Sequence, residues 1–404
     1  MSWSAFGRPA SRSRKSALMD DVYVDVGVDV ARRFPARLST RLSFLVAGLV
    51  MASWAPQVPY AKARLGLDES AFGLLLLCLG IGSVLAMQVI GAVVARVGSR
   101  PIVLISGIGL CLTLPWLAYA NTTLSLALCL LVFGASIGSI DVAMNVHAVE
   151  VEQAVGEPLM SGFHGMYSLG GLVGAAGGAA LLTSGLRPVT AAGVAAFAAA
   201  VLLALAWPGL LRSKSAPSAP LIAIPRGVVI LIGSLAFIAF LTEGALLDWS
   251  ALLLTGSFGL PAAHAGIGYA LFSVTMVFGR LTGDLVVKRL GQRRVLLWGG
   301  LMVTAGFALL VLLPRVWMAS AGFLLIGLGA ANLVPILFST AGRQNTMSPA
   351  LAVASITTLG YAGILVGPAA IGFIASLISL RGAFAGLALI MLGFPLFRAR
   401  IPTA

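Results

Sequence analysis

A chain of 404 residues with 59% apolar and only 10% charged residues, and a mean hydropathy of +1.03, has too little polar surface to cover a water-soluble core. Its solvent is therefore lipid. The formal charge of +13 calls for an account from topology, and the anionic inner leaflet is a sufficient counterpart without a nucleic-acid partner.

Residues 1–37 read as a disordered cytoplasmic tail. Arg8, Arg12, Arg14 and Lys15 precede the acidic run Asp20-Asp21-Val-Tyr-Val-Asp25, and the apolar core and cleavage site of a signal peptide are missing. A start at Met19 is the alternative.

A bilayer core of about 30 Å takes about 20 helical residues per crossing. Crossing segments of at least that order fall at 42–61, 70–95, 101–120, 124–149, 160–184 and 188–211, then at 228–255, 262–287, 295–314, 316–341, 350–378 and 382–398. The fold class is thus an all-α integral membrane protein with twelve transmembrane helices. Two six-helix bundles, 38–211 and 227–404, are joined by a cytoplasmic linker, 212–226, whose Ser213-Lys-Ser-Ala-Pro-Ser-Ala-Pro220 run suits a flexible connector. Cys78, Cys111 and Cys129 lie singly within apolar runs, without metal-ligand spacing, and read as packing.

The halves repeat. Arg96, Gly98 and Arg100 recur 193 positions later as Arg289, Gly291 and Arg293, and the same offset carries Gly73, Gly134, Gly170 and Gly174 onto Gly266, Gly327, Gly363 and Gly367. A single offset that holds in distant helices indicates a duplicated unit.

The second charged turn, with Gly283-Asp284, Arg289, Gly291 and Arg293-Arg294, resembles the loop signature of the major facilitator superfamily between helices 2 and 3 and between 8 and 9. The first copy has Gly91 at the acidic position. The resemblance implies alternating access, with helices 1, 4, 7 and 10 lining a cavity. It also implies that Asp284, Arg289, Arg293 and Arg294 help hold the cytoplasmic helix ends, with Arg280 as a partner for Asp284 and the apolar first copy making the latch lopsided. Positive-inside anchoring alone is the plainer account of these arginines.

Orientation follows from the cations. With both termini cytoplasmic, Lys62, Arg64, Arg187, Arg315 and Arg381 lie outside, Arg280 lies within segment 8, and the other twenty are inside. The expected location is the inner membrane, multi-pass.

Segment 1 carries Trp54, Pro56, Gln57 and Pro59, where freed backbone groups suit a cavity, so Trp54 and Gln57 are candidate solute contacts. In segment 4, Asp141 has Asn145 one turn away, and His164 of segment 5 lies at comparable depth. A direct contact between Asp141 and His164 would either handle a proton or clamp the cytoplasmic side. Glycine-rich segments 5 and 11 serve sliding or tight static packing equally well.

Glu243 lies roughly 22 Å along segment 7. An acid at such depth is costly and marks a solute path, a proton relay or a structural hydrogen bond. Asp248 falls near the outer boundary, Trp249 is an interfacial anchor or a cavity wall, and Gly244 is expected to loosen the helix between them. Asn332 and Tyr361 complete the candidate cavity.

The pattern of Gly134, Gly138, Asp141 and Asn145, with an acid on segment 7, is similar to a bacterial branch near the fucose-proton symporters. That likeness implies a small, polar, sugar-like solute taken up with protons by a monomer. Proton-driven efflux of drug-like molecules or metabolites is the alternative, although segment 4 lacks the arginine of drug-proton antiporters. A membrane sensor would need a soluble domain larger than these loops, and the sequence offers no enzyme constellation, resident cofactor or metal site.

Overall fold

The computed structural model describes residues 30–212, 223–261, 264–313 and 315–402. The expected tail over 1–37 lies outside the described residues up to residue 29, and its remainder is corrected, because residues 30–37 already belong to the helix that runs from Val30 to Trp54; the linker run at 213–222 lies outside the described residues. Twelve helices are long and apolar enough to cross a membrane. They are α1 (Phe34–Leu65), α2 (Ala71–Val97), α3 (Ser99–Tyr119), α4 (Thr123–Val155), α5 (Met160–Thr183) and α6 (Pro188–Gly209), then α7 (Val228–Phe258), α8 (Ile267–Leu290), α9 (Gln292–Leu312), α10 (Val316–Arg343), α11 (Pro349–Leu377) and α12 (Leu380–Phe397).

Local chemistry sets several boundaries. Asp68 accepts from the Ala71 amide at 2.7 Å to start α2, and Thr122 with Ser125 forms a reciprocal cap on α4. Two cations on the sparsely basic end act as helix caps: Arg64 donates to the carbonyls of Ala120 and Leu117, and Arg381 to that of Ser257. Those carbonyls terminate α3 and α7, where positive charge and spare donors are both favourable.

Three spans are interrupted, α12 by a turn at Leu392 between Met391 and Gly393. In α1 the residues Ala55–Gln57 form a 3-10 turn, as its paired prolines lead one to expect. In α10 the α-helix stops at Ala330 and resumes at Leu333, leaving Asn332 at the break. By contrast α7 runs unbroken through Gly244, so the expected loosening there does not occur. Packing explains this: Gly244 is buried, with the backbone of Ile364 on α11 close enough to support it.

The duplication is visible in atoms. Gly98 and Gly291 both hold positive φ, 85° and 80°, at the tight turns entering α3 and α9. Gly134 lets α4 lie against the backbone of Leu79, and Gly327 lets α10 lie against that of Phe272, the same offset away. Gly170 and Gly363 likewise admit the backbones of α1 and α7. These close approaches build each half from the same helix pairs, α1 with α5 and α2 with α4, then α7 with α11 and α8 with α10.

Candidate functional site

Arg280 of α8 joins both halves. Its Nη2 lies 3.6 Å from Glu243 Oε2 on α7, and its Nη1 donates to Ser168 Oγ on α5 at 2.8 Å. The arginine side chain is 8% exposed and the glutamate 31%, so the cation is the buried partner and the acid opens towards the cavity. The expected pairing of Arg280 with Asp284, one turn away on the same helix, is therefore corrected. Asp284 instead accepts from the Gly162 amide at 3.0 Å, at the start of α5, where the helix dipole favours an anion. The deeper position and the inward direction of Arg280 bring it to α7 instead.

The expected direct contact between Asp141 and His164 is also corrected, because Asn145 stands between them. Asn145 Nδ2 donates to Asp141 Oδ1 at 3.1 Å, and His164 Nε2 lies 3.1 Å from Asn145 Oδ1. The His164 ring sits between Phe44 of α1 and Phe338 of α10, at centroid distances of 5.3 and 5.4 Å. Asp141 is half-buried, and Tyr167 of α5 and Tyr361 of α11 lie within its electrostatic reach. Tyr269 of α8 holds the same relation to Glu243. A small cavity beside Glu243 and Arg280 is lined by Thr242, Met276, Ala330 and Val334. Thr242 Oγ1 and Arg280 Nε are buried there without a protein partner.

Other candidates lie apart from this cluster. Trp54 and Gln57 are buried, and Gln57 donates to the Pro188 carbonyl, tying α1 to α6 within one half. Asp248 is exposed, while Trp249 packs its ring on Gly372 with Nε1 unpartnered. Asn332 occupies the break in α10 and donates to the Gly279 carbonyl at 3.2 Å. Its Oδ1 is packed against Gly283, where no side chain would fit.

The basic end holds the main bonds between the halves. Glu152, 2% exposed at the end of α4, bonds Ser339 and Arg343 of α10, and also accepts from the amides of Leu159 and Met160. Gln153 donates to the Gly342 carbonyl at 3.0 Å. None of Glu152, Ser339 and Arg343 was expected as a site residue. The expected end of the fourth segment at 149 excluded Glu152, whereas α4 continues to Val155. A signal was present: Asp141, Asn145, Ala148 and Glu152 follow one helical stripe.

Among the turn residues, Arg289, Arg293 and Arg294 are exposed, and Arg96 is exposed in the matching first turn. Arg100 instead lies over the Trp207 ring at 4.0 Å, fastening α3 to the end of α6. Gly91, at the position matching Asp284, lies against Ala354 of α11 with no room for a side chain.

Glu157, in the exposed loop between α4 and α5, bonds Lys288 at 2.8 Å and Arg37 at 3.3 Å. The Lys288 hydrogen bond and charge, with Arg37 adding to them, hold this carboxyl below its usual range. A depressed folded value means the strap contributes above the ordinary glutamate pKa, about 4.3, and is lost as pH falls through the lower folded value. Acidification through that window is expected to lower the thermal midpoint of the detergent-solubilised protein slightly more than that of Glu157→Gln. Parallel midpoints in fluorimetric melts across that range would refute the strap.

No family model matches the chain. An uncharacterised MFS-type transporter of Yersinia pestis is 52% identical over 357 residues, which cover 88% of this chain and 93% of that protein. Among solved structures, the E. coli fucose:proton symporter FucP in its outward conformation aligns with a TM-score of 0.75 at 15% identity, covering 92% of this chain and 99% of that one. The proton:xylose symporter XylE aligns with a TM-score of 0.76 at 13% identity, covering 93% and 97%.

Proposed function

We propose that this chain, which belongs to the major facilitator superfamily and is a transporter of that family, moves a small, polar, sugar-like solute by proton-coupled symport with alternating access. The observation that carries this reading is the bond set of Arg280, which reaches the cavity acid Glu243 in its own half and Ser168 in the other. Such a pair responds to a proton: neutralising Glu243 leaves Arg280 buried with one partner fewer, and a stranded buried charge costs about 3–5 kcal/mol when nothing replaces it. Since Glu243 is partly exposed, solvent screening reduces that cost, and solute hydroxyls are suitable replacement acceptors.

Asp141, half-buried with a single side-chain donor, is the second coupling acid. His164 is linked to it by hydrogen bonds through Asn145, and Asp248 serves at the rim. The boundaries 38–211 and 227–404 define the moving halves, and one chain encloses the cavity, so the working unit is a monomer. The distribution of Lys and Arg supports a cytoplasmic basic end, with both termini inside and the protein in the inner membrane. With the halves bonded at that end, this conformation faces outward, with Asp284 and Glu152 closing the inner side. Lipid is the surrounding partner, and no nucleic acid takes part.

The test is external pH in proteoliposomes holding the wild type, Glu243→Gln or Asp141→Asn, on addition of a sugar panel and then of cationic drugs. The expected result is alkalinisation with a sugar that is lost in Glu243→Gln. Acidification on adding cationic drugs would favour proton-driven efflux instead. Silence with both panels would overturn the sugar-like substrate class.

A further inference from the structure

Asn145 is the most completely enclosed polar group on α4, with a relative exposure of 0%. Its amide has one satisfied orientation. Both Nδ2 bonds point back to Asp141, to Oδ1 at 3.1 Å and to the main-chain carbonyl at 2.9 Å. An amide oxygen only accepts, so His164 Nε2 must donate to Asn145 Oδ1. Flipping the amide would set its oxygen against two acceptors and its donors against the imidazole N–H. The hydrogen bonds therefore run in one direction, from His164 through Asn145 to Asp141.

The two ends of this chain lie in different surroundings. Asp141 is half-buried, with Tyr167 on α5 and Tyr361 on α11 near it and Arg280 on α8 further along the same cluster. His164 is buried in an aromatic row that crosses the halves, from Phe163 and Phe44 to the ring of Phe338. Phe338 is on α10, five residues before Arg343 of the basic-end cluster. Asn145 is the hydrogen-bonded element shared by both environments.

We propose that Asn145 is a positioning residue that ties the state of Asp141 to the setting of His164 in the seam between the halves. A charged Asp141 is a strong acceptor and fixes the amide, which fixes the imidazole tautomer and ring plane between Phe44 and Phe338. When Asp141 is neutral or engaged by solute, the amide keeps only its bond to the Asp141 main-chain carbonyl, its hold on His164 weakens, and one restraint on the seam is released. The proposal rests on the alternating-access reading above but not on proton coupling or on any particular solute.

The experiment is a double-mutant cycle read by distance. Val97 and Leu290 are exposed at the basic ends of α2 and α8, in matching positions of the two halves. Both are changed to cysteine and spin-labelled in a background lacking Cys78, Cys111 and Cys129, and distances are measured in proteoliposomes. Asp141→Asn is expected to raise the long-distance population about fivefold, at the low end of ordinary coupling between sites. In Asn145→Leu the same Asp141→Asn change is expected to move the distribution by less than about half of that. His164→Phe, which keeps the aromatic row but removes the N–H, should reduce the response to the same extent and covers the case in which Asn145→Leu does not fold. Equal responses to Asp141→Asn in all backgrounds, or none in the wild type, would overturn the relay. Failure of sugar-driven pH changes with a normal distance cycle would overturn only the symport reading.

Discussion

Replacing Glu152 by alanine is expected to destabilise the protein by about 3 kcal/mol and to open its basic end, because the change removes the acid from Arg343, which keeps Ser339 and partial exposure, and leaves two amides without their acceptor. Glu152 is the most buried carboxylate among the described residues, and it takes bonds from Ser339, Arg343, Leu159 and Met160. Two of those partners are in the other half, on the resumed part of α10. The remaining two begin the turn into α5, so the same carboxylate also shapes the start of the helix that receives Asp284. Glu152→Gln retains the volume and one acceptor and is expected to lose about half as much. Arg343→Ala leaves the acid with three partners and is expected to be milder than Glu152→Ala. The measurements are thermal unfolding in detergent and alkylation of a cysteine placed at Ser339, which lines the inner cavity beside Glu152 and Asp284. Unchanged unfolding in Glu152→Ala would show that this cluster is not the inner latch.

Hydropathy made the twelve crossings legible, because the cost of lipid contact is paid residue by residue along the chain. The same reasoning misplaced the ends. Glu150 and Glu152 look like loop residues to any rule that expects charges at the boundary, yet α4 continues through both because Glu152 finds its partners on α10. The break in α10 was carried by the sequence: Pro335 has no N–H for the Ala331 carbonyl and its ring crowds that residue, so the helix is interrupted at Ala331 and Asn332. The crowding of Asn332 against Gly283 and its bond to Gly279 accompany the interruption.

Pairings were the least legible level. Arg280 and Asp284 are four residues apart on one helix and invite a local ion pair. In the folded chain they serve different helices, because Asp284 meets the start of α5 and Arg280 reaches α7. The choice is made by the depth of neighbouring helices, which sequence spacing does not encode. Asn145 was recognised as sharing a face with Asp141, and that much follows from helical period alone. Its place between Asp141 and His164 depends on how α4 and α5 meet.

The glycines separate shared ancestry from shared packing, and their substitution is expected to divide the matched pairs sharply. A methyl group on Gly134 or Gly327 would run into the main chain of a facing helix, at Leu79 and Phe272 respectively. Backbone cannot rotate away as a side chain can, so each alanine is expected to cost about 3 kcal/mol or to prevent assembly of its half, at the upper end of ordinary overpacking. Gly73 and Gly266 match each other equally well in sequence, yet a methyl group at either would meet nothing within 4 Å. Both lie in the first turns of their spans or just before them, where no partner approaches. Their alanine variants are expected to unfold within about 0.5 kcal/mol of the wild type. Expression level and thermal unfolding of the four single variants decide the point. If Gly73→Ala proved as damaging as Gly134→Ala, the repeated glycines would owe their places to something other than helix contact. If Gly134→Ala and Gly327→Ala differed widely from each other, the two halves would share a pattern without sharing the packing that the pattern encodes.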